Sequence, residues 1–181
     1  MRAAMELKPQ DVLVLFKQVA QGDRAWTYAT LGEALQMSAS QVHRSVKRCV
    51  AAGLAVEKAR GEWQTVRRAL LEFAVHGVRY AFPAVQGAPT RGLPTAFGVP
   101  PLSNEINSAP GQAPVWPHPK GTARGPALPP LGSTAADAAL LDPALYTLLA
   151  LQDALRMGRA RERDLAEKHL QRLLLGTGDA G

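Results

Sequence analysis

Apolar positions recur every three or four residues through most of residues 1–82, and polar or glycine breaks divide that stretch into short helices. Val12, Leu13, Leu15, Phe16 and Val19 make one apolar face behind Pro9, whose missing N–H suits a first helical turn. They predict a helix over 9–20, stopped by Gly22 and Asp23. Leu31, Ala34 and Leu35 predict a second helix over 28–35 with Thr27 as its N-cap. Gly32 inside it costs about 1 kcal/mol against alanine, which points to a close helix contact there. Val42, Val46, Cys49 and Val50 carry a third helix. Ser38 and Gln41 form its capping box, and Gly53 ends it.

The period then changes. Residues 54–58 read as a strand, Ala59 to Glu62 as a turn, and residues 63–66 as the returning strand. A fourth helix is predicted over 67–82, closed by Pro83. Its apolar residues, among them Leu70, Phe73, Val78 and Phe82, wrap more than one face. Such a helix is buried on several sides, by a dimer partner or by the segment that follows.

Between Pro83 and Pro130 lie twelve of the 14 prolines, so regular helix is excluded there. The stretch still holds Phe97, Ile106, Val115, Trp116 and Leu128, more apolar bulk than a disordered linker carries. It reads as extended chain packed over the domains, with room for a short hairpin; the competing reading is a flexible linker. Helix returns after Gly132. Ser133 caps a short helix to about Leu141, and Asp142-Pro143 opens another, as N-cap followed by proline at the first helical position. Gly158 breaks the chain before a last helix over 159–174. Leu145, Leu148, Leu149, Leu151 and Leu155 are expected to face Leu165, Leu170, Leu173 and Leu174 in a helical hairpin, and the glycine-rich end GTGDAG to fray.

With its apolar stripe inward, the third helix offers Ser40, Gln41, His43, Arg44, Lys47 and Arg48 on the other side, with Ser38 at its start. A short helix, a tight turn, a helix with a basic face and a two-stranded ribbon follow in order, the order in which such elements dock into a DNA groove. Ser40, Gln41 and Arg44 fall in the first turns, where a recognition helix meets base edges. Arginine bonds guanine O6 and N7 bidentately, and glutamine does so with adenine. Lys47 and Arg48 sit further back and suit phosphate. Lys58 and Arg60 near the ribbon tip suit the DNA backbone, diluted by Glu57 and Glu62. The competing reading is a solvated helix face over a ribbon that only covers the core.

Residues from about 8 to 82 resemble the winged helix-turn-helix superfamily, and most closely the MarR-type and related bacterial transcriptional regulators; the residues that carry the resemblance are LGEALQMSASQVHRSVKRCVAAGLAV, at 31–56. The resemblance covers under half of the chain. It implies a DNA-binding domain over 1–82, with the third helix in the major groove and the ribbon as wing. It also implies a homodimer on a palindromic site. In that family, long helices flank the winged domain and build the dimer. The Pro-rich segment departs from this layout, so the family's ligand pocket and dimer geometry do not carry over. The expected fold is mainly α with a small β wing: a winged helix-turn-helix over 1–82, a Pro/Gly-rich extended segment over 83–132 and C-terminal helices over 133–181.

Charge sharpens this picture. Of the net +6, residues 1–82 contribute +5, residues 83–132 +2 and residues 133–181 −1, so the basic excess accompanies the third helix. Arg156, Arg159, Arg161 and Arg163 cluster around Gly158, but Asp153, Glu162, Asp164 and Glu167 balance them, which favours a solvated helix start over an anion site. A protein partner at these C-terminal helices is the alternative centre of function. The chain would then be an antitoxin-like or scaffolding interaction module built on a winged fold. His43, His76, His118 and His169 are scattered and lack metal-ligand spacing, and no phosphate-binding glycine loop occurs. No enzymatic activity, cofactor or metal is expected. Cys49 falls on the core side of its helix and excludes an intrachain disulfide. With no signal-peptide pattern and no membrane-spanning run, a cytoplasmic protein without membrane contact is expected.

Overall fold

The computed structural model describes residues 5–22 and 24–176. Local signals place the first helices. In α1 (Pro9–Gln21) the Asp11 carboxylate accepts from the Lys8 N–H at 2.8 Å. Gly22, at φ +64°, follows its last turn; Asp23, named with it as the stop, lies outside the described residues. Helix α2 (Tyr28–Leu35) starts at a reciprocal cap. Thr27 Oγ1 accepts from Thr30 N at 3.1 Å, and Thr30 Oγ1 accepts from Thr27 N at 2.8 Å. The close approach at Gly32 is to the turn that follows and to the start of the next helix: a Cβ there would lie 2.5 Å from the Met37 carbonyl oxygen and 3.4 Å from Ala39 N. Helix α3 (Ala39–Ala51) carries the expected capping box, with Ser38 Oγ accepting from Gln41 N and Gln41 Oε1 from Ser38 N. Strands β1 (Ala55–Glu57) and β2 (Trp63–Thr65) pair antiparallel, Val56 opposite Gln64, around a 3-10 turn at Ala59–Gly61.

The predicted fourth helix is two. Helix α4 (Arg67–His76) stops at Gly77, and a short α5 (Val78–Ala81) follows. The Phe73 ring folds over Gly77, where a Cβ would lie 2.4 Å from a ring carbon, and meets Phe82 edge-on at 6.4 Å. Packing of these rings, invisible to a periodicity argument, breaks the helix.

The Pro-rich segment exceeds the expected short hairpin. Strand β3 (Pro89–Pro94) is the centre of a three-stranded antiparallel sheet, flanked by β4 (Val115–Pro117) and β5 (Ala123–Pro126). Leu93 pairs with Trp116, and Arg91 with Arg124. Prolines sit at strand ends, where the ladder loses least by a missing N–H.

Helices α6 (Ala135–Leu141), α7 (Pro143–Met157) and α8 (Ala160–Leu175) complete the chain. Ser133 does not cap α6: the N-cap position belongs to Thr134, whose side chain makes no capping bond. Asp142 does cap α7, accepting from Ala144 N at 3.0 Å and Leu145 N at 3.1 Å. In the α7–α8 hairpin the expected leucines are inside, except Leu165, which is half-buried, and Leu173, which is 47% exposed. Of the terminal GTGDAG, only Gly176 lies within the described residues.

One continuous core runs through all three segments, from Val12 on α1 through Trp116 on β4 to Leu174 on α8. Helix α1 is its axis: Leu13, Val14, Leu15 and Phe16 are fully buried, and the helix packs on both α3 and α7. Polar bonds stitch the halves together. Lys17 Nζ meets Asp142 Oδ2 at 2.6 Å, Gln152 Nε2 donates to the Ala74 carbonyl at 3.0 Å, and Arg67 Nη1 to the Leu174 carbonyl at 3.1 Å. The apolar side of α4 is therefore covered by α7 and α8 of its own chain.

Candidate functional site

Two of the three layers of side chains around α3 point into the protein. Val42, Val46 and Cys49 face the core, and Ser45 and Arg48 join them. The third layer is open: Ser38, Ser40, Gln41, His43, Arg44 and Lys47 are exposed. Seven of the nine residues singled out in the sequence thus stand at the surface, counting Lys58 on the ribbon. The side chain of Arg60, the eighth, lies outside the described residues.

Arg48 is the correction. Its guanidinium does not stand ready for phosphate but turns inward and forms a bidentate ion pair with Asp11, at 2.8 Å from Nε and 2.7 Å from Nη2. The side chain is 11% exposed and that of Asp11 only 1%. Arg48 lies beside the apolar stripe, and an acidic partner on α1 pulls it to the inner side. Gln41 needs a finer correction. Its Oε1 accepts from Ser38 N at 2.8 Å, so bidentate recognition of adenine would cost the helix its cap.

An aromatic ladder, missed in the sequence, ties the ribbon to α3. Trp63 on β2 meets Trp26 at 4.9 Å between ring centres, Trp26 meets Tyr28 at 5.9 Å, and Tyr28 meets His43 at 5.1 Å, all edge-on. Burial, with the Glu57 charge behind it, pushes the Tyr28 hydroxyl above its ordinary pKa. The local sequence signal was three large aromatics at the borders of α2 and β2 rather than within an apolar stripe. The ribbon is also held from below, where the Thr65 N–H donates to Gln18 Oε1 of α1 at 3.2 Å.

The other chemistry-bearing groups resolve differently. Burial pushes the Cys49 thiol far up, so its thiolate, the reactive form, is suppressed. The arginine cluster around Gly158 separates. The Arg156 side chain, 5% exposed, donates to Asp153 Oδ1 at 2.8 Å and to the Phe82 carbonyl at 3.1 Å, and Arg163 donates to the Gly158 carbonyl at 2.7 Å. Arg159 and Arg161 stay exposed. A cleft of about 970 Å³ opens at this corner, between Phe97, Ile106, Met157 and Arg159, and takes no wall from α1, α2, α3 or the ribbon. His118 accepts from Lys120 N through Nδ1, which leaves the proton on Nε2 for its 3.0 Å bond to Asp137 Oδ1. His169 meets Glu105. Among the described residues no three His, Cys, Asp or Glu side chains converge as metal ligands would, and no helix is long and apolar enough to cross a membrane.

No family model, no curated protein and no solved structure matches the chain.

Proposed function

We propose that the chain binds double-stranded DNA sequence-specifically as a transcriptional regulator, with α2 and α3 as a helix-turn-helix and β1–β2 as its wing. The observation that carries this reading is the outward face of α3. Ser40, His43, Arg44 and Lys47 are exposed together on a capped helix whose opposite side is buried, and Lys58 stands on the adjacent ribbon. In this reading Arg44 meets a guanine edge through O6 and N7. Lys47, one turn further along, neutralises a phosphate, and Lys58 lies on the backbone beside the groove. Gln41 reads through its amide nitrogen while Oε1 keeps the cap.

The reading includes a homodimer that presents two α3 helices to major grooves about 34–36 Å apart. The inner side of α4 is already covered within one chain, so the contact between copies would use other surfaces. Selection from a pool of random duplexes tests the proposal. A recurring palindrome is the expected result, and recovery of no preferred sequence would overturn it. Arg44→Ala should weaken the selected duplex by about 10- to 100-fold, the worth of one bidentate base contact, and a scrambled duplex far less. Equal loss on both duplexes would sink the role given to Arg44.

A further inference from the structure

Ser45, Arg48 and Cys49, on adjacent turns of α3, all reach the first turn of α1. Arg48 grips Asp11 through Nε and Nη2, and Nη2 also donates to Ser45 Oγ at 3.0 Å. Ser45 Oγ in turn accepts from Gln10 Nε2 at 3.4 Å, and Cys49 Sγ lies 3.9 Å from the Asp11 carbonyl oxygen. Asp11 is itself anchored, since its Oδ2 accepts from the Lys8 N–H that opens α1.

We propose that the Arg48–Asp11 pair is a positioning device for base readout. It fixes the roll of α3 about its own axis, and with it the direction of Arg44 and Lys47. The inference rests on the DNA-binding reading above. Apolar contact is not directional, so Val42, Val46 and Cys49 alone would tolerate a range of roll angles against α1. A guanidinium–carboxylate fork is planar and tolerates little. Side-chain tips lie about 5–6 Å from a helix axis, so a roll of about 20° carries them roughly 2 Å. Hydrogen-bond distances to a base edge span only about 0.5 Å. Buried ion pairs add little stability over an apolar substitute, and the attested reason to keep one is register. Arg48 thus contributes to discrimination without touching DNA.

Arg48→Lys tests this, because it keeps a cation beside Asp11 and removes the fork. Two readouts are taken. The first is the imidazole proton resonance of His43 in free protein, which senses the ring current of Tyr28 and so the roll of α3. The second is the affinity ratio between selected and scrambled duplexes. The expected result is a displaced His43 resonance and a ratio reduced about tenfold, the cost of one misaligned base contact, with the salt dependence of binding unchanged. An unmoved resonance with an unchanged ratio overturns the proposal. If Arg48→Lys fails to fold, Asp11→Asn with Arg48→Met removes both charges together, keeps an acceptor for Lys8 N and is judged by the same two readouts. A wild-type protein that selects no sequence overturns the DNA reading instead. The clamp then stands or falls on the His43 resonance alone.

Discussion

The outer face of α3 and the junction between the three-stranded sheet and α7 are both rich in polar and charged side chains, and they use them in opposite ways. On α3 the cations Arg44 and Lys47 face solvent. At the junction, Asp153 is 1% exposed, and its two oxygens take three donors. Oδ2 accepts from Thr95 Oγ1 at 2.8 Å and Trp116 Nε1 at 2.7 Å, and Oδ1 accepts from Arg156 at 2.8 Å. Burial pushes the Asp153 carboxyl up, opposed by Arg156 and by the two hydrogen bonds. Tyr146 adds a bond from its hydroxyl to the Pro94 carbonyl at 2.6 Å. An open charge is free for a partner; a buried and saturated one specifies how a proline-broken sheet sits on a helix. Arg48, on the same helix as Arg44, belongs physically to the second kind.

Substitutions should separate the two regions. The largest effect is expected at the junction. Asp153→Ala leaves the Arg156 guanidinium buried without its carboxylate and strands the Thr95 and Trp116 donors, at a cost of about 3–5 kcal/mol read by denaturant unfolding. A loss below 1 kcal/mol would show that water reaches the site and solvates its charges as it does those on the outer face of α3. On the outer face of α3, Arg44→Ala should instead leave unfolding within about 0.5 kcal/mol of wild type, since an exposed side chain without a buried partner contributes little to folding.

Asp142 falls between these extremes, because it caps α7 and holds Lys17 of α1 at once. Its partial burial raises the carboxyl pKa, but the bond from Lys17 and the N–H groups of Leu145 and Ala144 prevail and hold it below its ordinary value. A depressed carboxyl contributes stability that is present above its unfolded pKa, near 3.9, and is lost as pH falls through the lower folded value. Asp142→Ala should therefore cost about 1–2 kcal/mol at pH 7, with the gap to wild type closing as pH drops below about 4. A gap that stays constant down to acid pH would mean that the ionised carboxylate is not what holds α7 to α1.

Much of the α3 region was legible in the sequence because its signals are local. Thr27, the Ser38–Gln41 box and Asp142-Pro143 act across three residues or fewer, and each sits where the spacing placed it. The Pro-rich sheet was not legible. Leu93 finds Trp116 and Thr90 finds Gly125 across long separations, and the prolines erase the alternation that would announce a strand. Arg48 was misread for the same reason: its direction is set by Asp11, on another helix and many residues earlier. The break at Gly77 likewise depends on where the Phe73 ring lands. Caps and periodicity report what a residue does to its own helix. The side that a charge takes depends on partners they do not name.

If the outer face of α3 contacts DNA, its exposed cations displace counterions from the phosphates, and the salt dependence of duplex binding reports that contact. The logarithm of the wild-type association constant should fall linearly with the logarithm of salt concentration, and Lys47→Ala should flatten that slope by about one phosphate contact. Binding that ignores salt, or a slope that Lys47→Ala leaves untouched, would contradict DNA contact at this face.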